Sequence, residues 1–313
     1  MLAIAVAVFA FYPSDDYIFL PDPARPVEPL VHVAGEHDRP GAGGIYMVDI
    51  IVRKASLLEK YFPGIHDGAT LVPADVYNPQ DLPERIQRQQ GLAEMSSSQR
   101  IAAAVALREL GYKVTADGVV VSAVDVGAPA DGVLEPDDVI VGANGKDIAS
   151  PEDLSQVMSD VKPGETVTLR IERDGAEQTV QVGTKASDDD PPRALMGIII
   201  EPKLELPVDI TIDTGEIGGP SAGLAFTLDI IDELGPTDID HGEKVVATGE
   251  IALDGSVHEI GGIEQKTIGA RKAGADVFLV PDANAEGARK YADGLRIVPV
   301  SNLDEALHAL ATG

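Results

Sequence analysis

Hydrophobic and polar positions divide this chain into stretches of different period. Met1 to Phe11 is continuously apolar. Pro13, Pro21, Pro23, Pro26 and Pro29 then interrupt any helix, so this segment predicts an extended connection. Val27 to Val33 and Ile45 to Val52 are strand-like runs flanking the Gly41-Ala42-Gly43-Gly44 turn. Leu57 to Leu82 is irregular. Ser96 to Leu110 has helical spacing, with Ile101, Val105 and Leu107 to Leu110 on the apolar side and Ser97 or Ser98 as N-cap.

Further along, Val119 to Val124, Val139 to Val141 and Val167 to Arg173 read as strands, with a helix near Pro151 to Val161. Asp188-Asp189-Asp190-Pro191-Pro192 is polar and proline-broken, which predicts a linker. Met196 to Ile200 and Val208 to Ile212 are strand-like, and Leu224, Leu228 and Ile231 recur at helical spacing. Strands at Lys244 to Thr248, Val277 to Val280 and Ile297 to Val300 alternate with helices at Ile263 to Ala273 and Leu303 to Leu310, the last with Ser301 and Asp304 spaced as a capping box. This interleaving predicts a multidomain α+β chain with an α/β C-terminal part.

Composition changes the picture in three ways. The 313 residues exceed one ordinary core, so two or three domains are expected. The 52 acidic residues against 24 basic ones, a net charge of −28, argue against a nucleic-acid surface. The absence of cysteine excludes thiol catalysis, disulfides and cysteine-ligated zinc, and the six histidines lack paired ligand spacing, so neither metal nor cofactor is expected. No Gly-x-x-x-x-Gly-Lys-Ser/Thr loop occurs, so these residues carry no phosphate-cradling ATPase motif.

Chemistry concentrates in Gly218-Gly219-Pro220-Ser221-Ala222-Gly223 and in Lys266. Pro220 presets φ for a first helical turn, which puts Ser221 at a helix start where unpaired N–H groups can stabilise a developing oxyanion. A serine hydroxyl needs a base to become a nucleophile, and a lysine whose pKa is depressed by burial can serve. Two other readings compete. Gly219 to Gly223 fits Gly-x-Ser-x-Gly, with His308 as the offered histidine, but too little chain follows for that fold's sheet and Lys266 is left unexplained. Asp213-Thr214-Gly215 copies the aspartic-protease tripeptide, yet a second carboxylate-bearing copy is lacking, so it reads as a strand end and turn.

The order Gly-Pro-Ser-Ala-Gly, Ala247-Thr248-Gly249-Glu250-Ile251, Asp254-Gly255, Ile260-Gly261-Gly262, Lys266 and Ala273-Gly274-Ala275 resembles the proteolytic domain of Lon peptidases. That resemblance implies Ser221 as nucleophile, Lys266 as base, Thr248 beside the lysine, and N–H groups around Gly219, Pro220, Ser221 and Ala222 for the oxyanion. Two positions depart from the Lon pattern: Gly218 stands where an acidic residue is common, and Glu264 where a lysine is usual. The block from Leu110 to about Lys185 resembles a PDZ domain. There Leu110, Gly111 and Tyr112 match the carboxylate-binding loop, and Leu154, Val157 and Met158 lie on the helix that lines the groove.

Together these imply an apolar signal-anchor end at 1–12, an N-terminal region at 13–109, a β-barrel-like PDZ domain at 110–185, a linker at 186–193 and an α/β Lon-type proteolytic domain at 194–313. The arrangement resembles the membrane-anchored, ATP-independent PDZ-containing Lon-like serine proteases of bacteria. Protein or peptide substrates, chain ends at the PDZ groove and an extracytoplasmic catalytic domain on a single N-terminal anchor follow from it; homo-oligomerisation stays open. Met1 to Phe11 is shorter than the roughly 20 residues of a spanning helix, so the expectation is an anchor that begins upstream of Met1. The alternative from another class is a catalytically silent PDZ adaptor.

Overall fold

The computed structural model describes residue 9 and residues 12–33, 43–79, 81–187 and 191–312. Most of the apolar stretch 1–11 and the acidic tract 188–190 lie outside the described residues. Among those described, no helix is long and apolar enough to cross a membrane. The chain forms two compact units. One combines residues up to Tyr112 with those from Val208 onward, and the other is Lys113–Pro207.

The first unit begins with β1 (Pro13–Pro21), whose Ser14, Tyr17 and Ile18 are buried. The expected extended connection is thus a strand, and its prolines stand at the strand's two ends, where a missing N–H costs no ladder bond. Next come β2 (Arg25–Pro26), β3 (Val31–Val33), β4 (Gly44–Met47), β5 (Ile50–Ser56) and β6 (Thr70–Val72). β1 lies between β5 and β6 in an antiparallel sheet. Helix α1 (Glu84–Glu109) is longer than the predicted Ser96 to Leu110, because its first turns are polar and show no apolar stripe. Its second half buries Ala102 through Leu107 on all sides, and the small alanines allow close packing.

The second unit contains β7 (Thr115–Val124), β8 (Val139–Ala143), α2 (Pro151–Ser159), β9 (Thr166–Arg173), β10 (Ala176–Gly183) and β11 (Ile198–Glu205). Ser150 and Asp153 form a reciprocal capping box at the start of α2. The antiparallel sheet runs β10-β9-β8-β7-β11, and its core includes Val119, Val121, Ile140, Leu154, Val157, Leu169, Ile171 and Val182.

Two expectations change here. The strand predicted at Met196 to Ile200 does not open the catalytic domain; as β11 it pairs with β7, from Ile198 opposite Val124 to Glu205 opposite Thr115. The unit's end therefore moves from 186–193 to Pro207. Leu110, Gly111 and Tyr112 are not a carboxylate loop. Their N–H groups donate to Ala106, Arg108 and Leu107 carbonyls, and Gly111 takes φ +83°, so the three close the C-terminus of α1. Leu154 and Val157 are core residues and Met158 packs half-buried against them.

The chain then returns to the first unit with β12 (Ile210–Ile212), which pairs with β3. α3 (Gly223–Leu234), β13 (Lys244–Ala247), β14 (Glu250–Ile251), β15 (Val257–His258), α4 (Ile263–Lys272), β16 (Val277–Pro281), α5 (Ala285–Tyr291), β17 (Arg296–Val300) and α6 (Leu303–Thr312) follow. The main sheet is ordered β2-β4-β13-β16-β17, parallel from β4 to β17. The N-terminal region expected at 13–109 is accordingly part of the catalytic unit. Without β4, the apolar edge of β13 would be uncovered, and local periodicity cannot announce a pairing between strands 200 residues apart. At α6 the cap is Asn302 with Glu305 rather than Ser301 with Asp304: Asn302 Oδ1 accepts from Glu305 N, and Glu305 Oε2 from Ser301 N.

Candidate active site

Three elements of the first unit meet at Ser221. The turn before α3 carries it, α4 brings Lys266 in its first turn, and the residue after β4 presents the Val48 carbonyl. Lys266 Nζ donates to Ser221 Oγ at 2.9 Å and to Val48 O at 2.7 Å. Lys266 is 3% exposed, whereas Ser221 is only partly buried. Burial lowers the lysine's pKa to about 8, against an opposing pull from the Asp49 carboxylate.

Ser221 precedes the helix instead of opening it: α3 starts at Gly223 and Ala222 is its N-cap. The turn is fixed from several sides. Gly219, at φ +90°, donates its N–H to Gly91 O of α1 at 2.8 Å. Pro220 O accepts from Ser98 Oγ at 2.9 Å. Ser221 O accepts from Gly249 N at 2.8 Å and from Thr248 Oγ1 at 3.0 Å.

These bonds revise the sequence-derived roles. Thr248 is fully buried beside the site but holds the serine's backbone, not the lysine's amine. Gly219 spends its N–H on α1 and Pro220 has none, so of the four residues expected around the oxyanion only Ser221 and Ala222 keep an N–H for that role. Val48, Gly91, Ser98 and Asp49 were not foreseen. Val48 and Gly91 act through carbonyls, which leave no side-chain signature.

The competing readings lose their residues. His308 is exposed on α6, and its carbonyl accepts from Thr312. Asp213 closes a turn by accepting from Gly215 N at 2.9 Å. Among the described residues, the group that could hold a cation is Asp232, Asp238 and Asp240, which accept from the N–H groups of Ile239, Asp240 and Gly242 respectively.

Residues 205–312 match the family model of the Lon protease (S16) C-terminal proteolytic domain, and residues 99–184 match that of the PDZ domain. The PDZ match stops before β11, the strand that completes the folded unit. The Lon protease of Azorhizobium caulinodans is 40% identical over 94 residues, 29% of this chain and 11% of that protein. Lon protease 2 of Bacillus subtilis is 37% identical over 91 residues, 29% of this chain and 16% of that protein. The matches to these relatives therefore cover a small fraction of their length. Among solved structures, the PDZ domain of the SdrC-like protein Lmo2051 from Listeria monocytogenes is 27% identical, covering 28% of this chain and 93% of that chain, at TM-score 0.26.

Proposed function

From a chain that joins a PDZ domain to a Lon C-terminal proteolytic domain, we propose an ATP-independent serine endopeptidase acting through a Ser221–Lys266 dyad. The observation that carries this reading is the 2.9 Å bond from a buried lysine to a partly exposed serine. Neutral Lys266 takes the Ser221 proton as Oγ attacks the peptide carbonyl. The tetrahedral oxyanion is received by the Ser221 and Ala222 N–H groups, and the Lys266 ammonium then protonates the leaving amine. Water hydrolyses the acyl-enzyme with the same lysine as base.

The PDZ unit selects or presents the substrate chain. Its groove lies between β11, an end strand of the sheet, and α2, which packs on it. A chain end adds to β11 as a further strand, with its carboxylate at Met196-Gly197-Ile198. Gly197 has φ +79°, and a Cβ there would stand 2.3 Å from the Ala128 Cβ, so this hydrophobic-Gly-hydrophobic step is open only to glycine. Location belongs to the same proposal. The apolar run ends at Tyr12-Pro13 and turns acidic at Asp15-Asp16 with no basic residue before Arg25, as on the outer flank of an anchor.

Labelling by a serine-reactive fluorophosphonate, lost in Ser221→Ala together with casein hydrolysis, is the expected result. A folded wild type that neither labels nor cleaves would instead favour the silent adaptor. Fractionation and protease-shaving of cells producing the protein test location, and recovery from washed cytosol would overturn the anchor.

A further inference from the structure

We infer that Asp49, held by Arg25, is the counter-charge for the Lys266 ammonium, so that this ion pair acts as a positioning device for the base. The inference rests on the reading of Ser221 and Lys266 as nucleophile and base. Its geometry starts at the end of β4, where the Val48 carbonyl accepts from Lys266 Nζ at 2.7 Å. The very next side chain is the Asp49 carboxylate, about one-fifth exposed. Arg25 Nη2 reaches both of its oxygens, at 3.0 and 3.2 Å, and also Asp22 at 2.5 Å.

The same backbone that places Arg25 also packs on the lysine's helix. Arg25 pairs with Met47 across β2 and β4. Ala24 N donates to Gly269 O at 3.3 Å, and a Cβ on Gly269 would lie 2.1 Å from Asp22 O. Gly269 is three residues beyond Lys266, so the Asp22–Arg25 segment sits directly on α4 because that helix has a glycine there. The base, its carbonyl partner and the ion pair are thereby fixed as one unit.

Several other charged groups on neighbouring elements are engaged elsewhere. On β1, Asp16 pairs with Lys60. On β5, Arg53 pairs with Glu59 and Lys54 lies over the Tyr17 ring. On α5, Glu286 pairs with Lys290, while the Tyr291 hydroxyl bonds Glu264 and its carbonyl accepts from Arg271. Asp49 is left as the carboxylate that acts on Lys266, opposing the effect of burial. When Lys266 takes the Ser221 proton, the nascent ammonium gains this partner, and Arg25 moderates how strongly it is held.

The test is the pH dependence of fluorophosphonate labelling in the full chain. The wild-type midpoint is expected near pH 8. Asp49→Asn should lower it by about one unit, since a nearby opposite charge is removed, and Asp49→Glu should restore it. Arg25→Gln should raise it, because Asp49 then acts uncompensated. A folded Asp49→Asn protein with the wild-type midpoint, or two variants shifting in the same direction, overturns the inference and leaves the dyad standing. If Asp49→Asn does not fold, Arg25→Gln decides alone: an upward shift supports the counter-charge, and none or a downward one refutes it. Absence of wild-type labelling at every pH strikes the dyad reading itself.

Discussion

Lys266 Nζ donates to Ser221 Oγ across 2.9 Å, although the two residues are 45 positions apart, Ser221 in the turn before α3 and Lys266 in α4. Both ends of that bond are fixed independently. Val48 O anchors the amine, while the Gly249 N–H and the Thr248 hydroxyl anchor the serine backbone. Each anchor gives the dyad a separate point of failure.

Activity should rise with pH through about 8, the pKa to which burial lowers Lys266, because only the neutral amine accepts the serine proton. Stability carries the same sign. The unfolded lysine binds its proton up to the ordinary value of 10.5, so between about 8 and 10.5 the unfolded state holds more protons and the lysine's contribution to stability grows with pH. Hydrolysis of a peptide substrate from pH 6 to 9.5 checks the first statement. A profile flat across that range would contradict it.

Lys266→Arg should abolish hydrolysis as completely as Lys266→Ala, since a guanidinium cannot release its proton near neutrality. Single-turnover acylation measured beside circular dichroism separates lost chemistry from lost fold. Retained activity in the arginine protein would assign the base elsewhere.

Thr248→Val removes one of two donors to Ser221 O and leaves the other, Gly249 N, in place. The expected loss is about fivefold in kcat with KM little changed, in line with ~1 kcal/mol for one hydrogen bond. Thr248→Ser should recover most of it. Equal activity of the valine and wild-type proteins would show that the second anchor is dispensable.

Gly197→Ala should disrupt the loop before β11, given φ +79° and the 2.3 Å approach to Ala128. Binding of peptides with free apolar C-termini should fall, while fluorophosphonate labelling at Ser221 persists. Fluorescence anisotropy with free and amidated peptides measures it, and unaltered binding of the variant would move the groove away from β11.

Asp229 of α3 is 4% exposed, and its Oδ2 has no partner among the described residues. Burial first, then Glu233, Asp232 and Glu28, raises its pKa well above the usual carboxylate range. Above the unfolded carboxylate pKa the folded state therefore holds the extra proton, and stability falls as pH rises through that window. Asp229→Asn should remove this slope and raise Tm near neutral pH, by about 2–4 °C for each ~1 kcal/mol gained. Thermal melts from pH 5 to 8 test the change, and parallel curves for the two proteins would argue against it.

Much of the site was legible in the chain itself. The order of Gly219 to Gly223, Thr248 and Lys266 singled out Ser221 and Lys266, which the fold brings to 2.9 Å of each other, because the proposed roles need particular side chains at positions close enough in sequence to form one motif series. Periodicity also placed α4, β16, β17 and α6 to within a few residues, since each buries one apolar face or run locally. Tertiary structure alone decided what lies on the other side of those elements. Pairing of β4 with β13 makes the N-terminal region part of the catalytic unit, and pairing of β11 with β7 makes 113–207 an insertion in it. A strand's period tells which face is apolar but not which distant strand will cover its edge. For the same reason the Val48 and Gly91 carbonyls that fix Lys266 and the serine turn could not be read in advance: every residue has a carbonyl, and only packing aims it.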